Sequence, residues 1–236
     1  MPTDRSIVLF DLFGVIARHQ LPGAQGKMAA RCHTPTDAFT TAYWACRPPY
    51  DAGRQSAPEY WTAVLRQLSR PADADTIEEL RLTDIDSWSR VDDRMVAYVQ
   101  SLRDVTEVAL LSNIPSDHAD AFLAAQPWLR RLDHVAFSGK IGAAKPSPAA
   151  FQHCVTAMRA APADFLFVDD REENVRAARA TGMNGHVFTD PDDLATVIDA
   201  WLPKPSAPRT PRTPRTPLTP RTPLTPRTPL TSRPPG

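Results

Sequence analysis

Ser6-Ile7-Val8-Leu9-Phe10-Asp11-Leu12-Phe13-Gly14-Val15 decides how this chain of 236 residues folds. Four apolar residues in a row, without alternation, read as a strand buried on both faces, as the strands of a parallel sheet are. Open α/β sheets bind their ligands beyond the carboxyl ends of such strands. Asp11 stands at that end and is therefore a candidate nucleophile, while Phe13, two residues on, offers no proton chemistry of its own.

Working outward, short apolar runs recur at Val108 to Leu111, Val135 to Phe137, Phe165 to Val168 and His186 to Phe188, most of them followed by helical patterns. The alternation predicts an α/β fold with a parallel sheet covered on both faces. Pro148 to Ala160 places Phe151, Cys154, Val155 and Met158 on one stripe, and Asp190-Pro191 opens a helix carrying Leu194, Val197, Ile198 and Trp201. Gly182 is placed to end the alanine-rich turn after Asn174.

Between Arg18 and Ser89 the pattern is helical without evident strands, and Ser56-Ala57-Pro58-Glu59 is a capping box. An insertion after the first strand would overhang Asp11, as a lid or else as extra packing with no gating role. The predicted division is therefore a catalytic core over 1–17 and 90–202, a helical cap over 18–89, and a tail over 203–236. The tail repeats Thr-Pro-Arg and Thr-Pro-Leu with too little apolar mass to fold, so it is expected to be disordered.

The formal net charge of zero divides unevenly. The tail holds Lys204 and six arginines without an acid, and setting those seven aside leaves 20 basic residues against 27 acidic ones. An acidic globular part argues against a nucleic-acid surface. Cys32, Cys46 and Cys154 are odd in number and lack paired metal-ligand spacing, which suits a reducing cytoplasm. No export signal opens the chain and no apolar run approaches the roughly 18 residues of a membrane span. Oligomeric state is not legible.

Four features are expected to converge on one sheet edge. They are Asp11; Ser112-Asn113, a hydroxyl and an amide suited to an anionic oxygen; Lys145 in the loop Gly142-Ala143-Ala144-Lys145-Pro146; and Asp169-Asp170 at a strand end. Three acids in one pocket repel unless a hard cation joins them, and magnesium needs few protein oxygens. Ser116 is a candidate helix cap. Trp44, Arg47, Tyr50, Asp51 and Arg54 form a proline-interrupted stretch between helices, with the two arginines suited to clamp an anion or else solvated. His19 is a surface histidine whose position raises the question of proton donation.

This ordered set resembles the haloacid dehalogenase superfamily, whose members share an aspartate nucleophile on a Rossmann-like sheet. The resemblance covers Ser6 to Trp201 and includes a helical cap after the first motif. It implies that Asp11 attacks and that Ser112, Asn113 and Lys145 hold a phosphoryl group. Asp11, Asp169, Asp170 and the carbonyl of Phe13 would then bind magnesium. Most phosphatases of this family carry an aspartate where this chain has Phe13, to protonate the leaving alkoxide and activate water. A general acid or base contributes about 10²–10⁴-fold, so its absence restricts the leaving group more than it blocks attack.

Two branches lacking that aspartate point apart. The 2-haloacid dehalogenases carry an aromatic residue there but are metal-free, with neutral residues in place of Asp169-Asp170. Bacterial phosphatases acting on glucose 1-phosphate keep the acidic pair and have a small residue at that position. The expectation is a magnesium-dependent phosphatase of a small phosphorylated metabolite. The alternatives are a metal-independent dehalogenase-type hydrolase and a catalytically weak binding protein on the same fold.

Overall fold

The structure, a computed structural model, describes residues 5–203. The expected disorder of the tail concerns residues that lie outside this range, Pro203 apart. Five strands form one parallel sheet: β1 (Ile7–Phe10), β2 (Glu107–Ser112), β3 (His134–Phe137), β4 (Phe165–Asp169) and β5 (Asn184–Val187). Their order is β3-β2-β1-β4-β5, so β1 is central, flanked by β2 and β4. The expected Rossmann-like α/β core is present.

Side chains of β1 alternate between two cores, as strand geometry requires. Ile7 and Leu9 pack with Phe151 and Cys154 of α8 (Pro148–Met158), and with Phe165, Phe167 and Ala178. Val8 and Phe10 face the other way, toward Met95 and Val99 of α5 (Asp93–Leu102) and Leu194 and Ile198 of α10 (Pro191–Trp201). Each fully buried large apolar side chain contributes about 1.5–3 kcal/mol relative to exposure. Asp190 caps α10 by accepting from the N–H groups of Asp192 and Asp193. Gly182, at φ +91°, follows α9 (Glu172–Ala180), as expected of a left-handed terminator.

Four helices separate β1 from α5: α1 (Ala24–Arg31), α2 (Thr36–Asp51), α3 (Ala57–Gln67) and α4 (Ala74–Ser87). They enclose an aromatic core of their own, with Phe39, Tyr43, Tyr50, Tyr60 and Trp61 all essentially inaccessible. The Ser56–Glu59 capping box starts α3, and Pro58 lies within its first turn. The remaining α-helices are α6 (Ser116–Ala125) and α7 (Ser138–Ile141), with short 3-10 turns at Pro127–Arg131 and Pro162–Asp164.

Two expectations need correction here. Trp44, Arg47, Tyr50 and Asp51 belong to α2 itself, with Pro48 and Pro49 inside its last turns, rather than to a stretch between helices. The prolines forfeit two helical N–H donors, but burial of Arg47 and Tyr50 against the cap core holds that end in place. Ser116 does not cap α6; its Oγ donates to the Gly139 carbonyl at 2.6 Å, and Pro115 occupies the cap position.

Candidate active site

Asp11 leaves β1 with its N–H on the Val168 carbonyl at 2.8 Å, which fixes the end of β1 against β4. Its carboxylate is buried, and Oδ1 accepts from the Leu12 N–H at 2.7 Å. Lys145 Nζ stands 2.7 Å from the same oxygen and 2.6 Å from Asp169 Oδ2. One buried ammonium thus bridges two carboxylates. Burial pushes the Asp11 carboxyl upward; Lys145 opposes this, and the nearby Asp169 reinforces it.

Lys145 is held by Asn113 through a reciprocal pair. Asn113 Nδ2 donates to the Lys145 carbonyl and Asn113 Oδ1 accepts the Lys145 N–H, both at 2.8 Å. The amide expected to hold a phosphoryl group is engaged in positioning the lysine loop. Ser112 differs: its hydroxyl is fully buried at the end of β2 and has no hydrogen-bond partner. A buried hydroxyl without a partner costs free energy, and an anionic oxygen would satisfy it.

Both oxygens of Asp169 are taken. Asn174 Nδ2 donates to Oδ1 at 3.0 Å and to Oδ2 at 3.1 Å, and the Arg171 N–H reaches Oδ1 at 2.9 Å. Asn174, the buried polar residue of α9, thereby orients Asp169. Asp170 Oδ1 is buried without a partner, whereas Oδ2 lies 3.2 Å from His19 Nε2. Burial and then the neighbouring Asp169 raise the Asp170 carboxyl above its ordinary value. His19 is exposed, as expected, yet it reaches the site.

Ligand oxygens of Asp11, Asp169 and Asp170 lie within 4.8 Å of one another. Three carboxylates face one ammonium, and burial first, with Asp169 adding to it, raises both Asp11 and Asp170. This donor set fits a hard divalent cation, with Asp11 and the unpartnered Oδ1 of Asp170 as the better-placed ligands.

Gly14 adjoins this cluster at φ +87°, and a Cβ there would lie 2.3 Å from Asp170 Oδ2, so only glycine lets the loop approach the acidic pair. That loop turns on the Leu12 carbonyl, which accepts from the N–H groups of Ile16 and Ala17 at 2.8 and 2.7 Å. The Phe13 carbonyl takes no part in these bonds. The Phe13 ring meets Trp88 edge-on at 4.8 Å and Phe122 at 5.8 Å, between cap and core. Trp88 and Phe122 escaped the sequence reading because nothing local marks them; they reach Phe13 only through tertiary packing.

Neither arrangement expected of Arg47 is present. It is buried, with Nε on Asp51 Oδ1 at 2.7 Å, and Nη1 on Asp84 Oδ2 at 2.7 Å and on the Tyr43 hydroxyl at 2.6 Å. It therefore neither clamps an anion nor faces solvent, whereas Arg54 is exposed.

The family model for haloacid dehalogenase-like hydrolases matches residues 6–182. A sesquiterpene phosphatase of Aspergillus oryzae is 31% identical over 111 residues, which are 47% of this chain and 56% of that protein. A drimenol cyclase of Aspergillus calidoustus is 25% identical over 149 residues, 61% of this chain and 28% of the cyclase. This chain thus spans about half the length of one relative and less than a third of the other.

Among solved structures, a HAD family enzyme of Bacteroides thetaiotaomicron in complex with magnesium and inorganic phosphate superposes with a TM-score of 0.68. Its identity is 15%, with 82% of this chain and 98% of the other covered. The L-2-haloacid dehalogenase of Xanthobacter autotrophicus, with chloropropionic acid covalently bound, gives 0.57 at 18% identity and 85% of each chain. At these identities the likeness concerns the fold. Because the family match takes in Asp11, the Ser112-Asn113 loop, Lys145 and the acidic pair together, the chain belongs to the haloacid dehalogenase-like hydrolases.

Proposed function

We propose that the protein is a magnesium-dependent phosphatase that hydrolyses the phosphate monoester of a small metabolite through an aspartyl-phosphate on Asp11. The observation that carries this reading is the acidic cluster. Asp11, Asp169 and Asp170 are packed together with one buried ammonium, Lys145, and the exposed His19 against them, an arrangement that favours binding a cation and disfavours an uncompensated anionic substrate. The phosphatase activity of the Aspergillus oryzae relative points the same way.

The Leu12 N–H and Lys145 both meet the Asp11 carboxylate at Oδ1, which leaves Oδ2 to attack phosphorus. Ser112 Oγ donates to a phosphoryl oxygen, and Lys145 neutralises charge that develops on the transferring group. Attack forms the bond from Asp11 to phosphorus and breaks the bond to the alcohol oxygen, which takes its proton from water because Phe13 has none to give. Water then cleaves the acyl phosphate, releasing inorganic phosphate and restoring the Asp11 carboxylate. Magnesium, held by Asp11, Asp170 and the Phe13 carbonyl with Asp169 behind them, would supply charge neutralisation and orient the phosphoryl group.

The test is phosphate release from p-nitrophenyl phosphate and a panel of phosphorylated metabolites, with and without a chelator. Turnover should stop with chelator and fall at least about 10³-fold in Asp11→Asn, since a lost nucleophile is among the costliest catalytic deletions. Phe13 favours one second reading, displacement of halide from a 2-haloacid by Asp11, because a halide leaves unprotonated. Halide release that persists in chelator would establish that reading and overturn ours.

A further inference from the structure

Beside the nucleophile lies a cavity of about 230 Å³ formed between cap and core. Its floor is Phe13, two residues after Asp11. One wall is Ile114, two residues after Ser112, with Phe122 and Ala121 of α6; the other is Leu82, Ile85 and Trp88 from the cap. We propose that this cavity receives the hydrocarbon body of the substrate, making the protein selective for phosphate monoesters of apolar, isoprenoid-like or long-chain alcohols. The proposal rests on the phosphatase reading above and deepens it.

Three observations carry it. First, the wall is mostly apolar. Asp86, Ser89 and His118 are the polar residues in it, and His118 Nε2 already lies 3.3 Å from Asp84 Oδ2. A sugar's hydroxyls would find few partners there, and an unpaired buried hydroxyl is costly. Second, Leu82 is 52% exposed on the cavity rim, and Trp44, whose ring centroid is 6.4 Å from that of Trp88, is 46% exposed. Large apolar side chains left open around one cavity mark a binding surface for an apolar partner.

Third, Phe13 and Ile114 in its lining stand two residues after Asp11 and Ser112, so the cavity adjoins the two loops that carry the phosphoryl site, within reach of one ligand. An engineered apolar cavity of about 150 Å³ takes benzene, so this one has room for roughly ten carbons. Phe13 thereby acquires a positive role. Where an acid would protonate the leaving oxygen, a ring instead packs the chain attached to it, and remote binding energy offsets part of the lost proton transfer.

The test is kcat/KM with magnesium for unbranched alkyl phosphates from ethyl to dodecyl, alongside glucose 1-phosphate and p-nitrophenyl phosphate. The value should climb about two- to four-fold per methylene, as apolar burial dictates, and level off near ten carbons. In Ala121→Trp, which fills the cavity, the decyl-to-ethyl ratio should collapse at least ten-fold. A flat chain-length series, or a preference for glucose 1-phosphate, overturns the proposal. If p-nitrophenyl phosphate and every other ester are inert, the phosphatase reading has failed by itself. Calorimetric binding of decylphosphonate then decides the cavity: at least ten-fold weaker binding to Ala121→Trp than to wild type supports it, and equal binding overturns it.

Discussion

Position 13 shows how one side chain divides the reaction. Its neighbours include Asp11, the proposed nucleophile, and Gly14 beside the acidic pair, but the ring itself is committed to Trp88 and Phe122. Phe13→Asp should therefore have two opposed effects. Losing the edge contacts, each worth about 0.5–1.5 kcal/mol beyond burial, should lower stability by about 1–3 kcal/mol in a denaturant titration. The new carboxyl supplies the missing proton to an alkoxide but not to p-nitrophenolate, which leaves without one. The alkyl-to-aryl ratio of kcat should rise at least about ten-fold, given the usual contribution of a general acid. An unchanged ratio would place the leaving oxygen away from residue 13. Asp11 and Asp169-Asp170 were visible in the sequence because strand ends announce them, and Lys145 because it stands alone in a small-residue loop before a helix. That the Asn113 amide would be spent on Lys145 was not, since a reciprocal hydrogen-bond pair depends on where two loops meet.

The helices of the cap are organised around a buried charge cluster that local pattern does not reveal. Arg47 of α2 sits over the rings of Tyr43, Tyr50 and Tyr60, at 5.1, 5.4 and 5.7 Å, while pairing with Asp51 and Asp84. Burial alone would raise the Asp84 carboxyl. Arg47, His118 and Tyr43 together outweigh it and bring the carboxyl down from 3.8 to about 2. A carboxyl depressed in the folded state stabilises it fully above the unfolded value and loses that contribution as pH falls through the folded one. The window is thus pH 4 to 2, and the contribution is about 2 kcal/mol. Acid titration of stability should steepen across this window, and the Asp84 carboxyl carbon should titrate near its lower end by NMR. The sheet was easier to read than this cluster, because uninterrupted apolar runs can hardly be anything but central strands. The exception is β5, at one edge of the sheet: His186 to Phe188 was expected, but Asn184–Val187 forms it. An edge strand half open to solvent needs no apolar run, so its bounds left little trace.

Cap and core together form the cavity and adjoin the acidic cluster, so the contacts that hold them together bear on every substrate complex. Several polar contacts cross the boundary. The Tyr50 hydroxyl donates to Asp117 Oδ1 at 2.6 Å, Arg81 Nη1 meets Asp117 Oδ2 at 3.3 Å, His118 faces Asp84, and Ser138 Oγ donates to the Asp51 carbonyl at 2.5 Å. Beside them the backbones nearly touch, for a Cβ on Gly53 would lie 2.3 Å from the Gly139 carbonyl oxygen. Tyr50→Phe is the mildest way to loosen this seam. The ring keeps its stack on Tyr60 at 4.5 Å, and Arg81 still faces Asp117, so only one charge-assisted hydrogen bond is lost. Such a bond contributes about 1.5–3 kcal/mol, and its loss falls on the closed arrangement alone. If closure creates the competent site, apparent affinity scales with the closed fraction. KM should then rise several-fold with kcat changed less than two-fold, and amide exchange should quicken at the carboxyl end of α2 and the start of α6. Gly53→Ala forces the backbones apart and should raise KM further. Equal exchange rates and an unchanged KM in both variants would show that the cap stays closed without the seam, held by the Phe13, Trp88 and Phe122 rings instead.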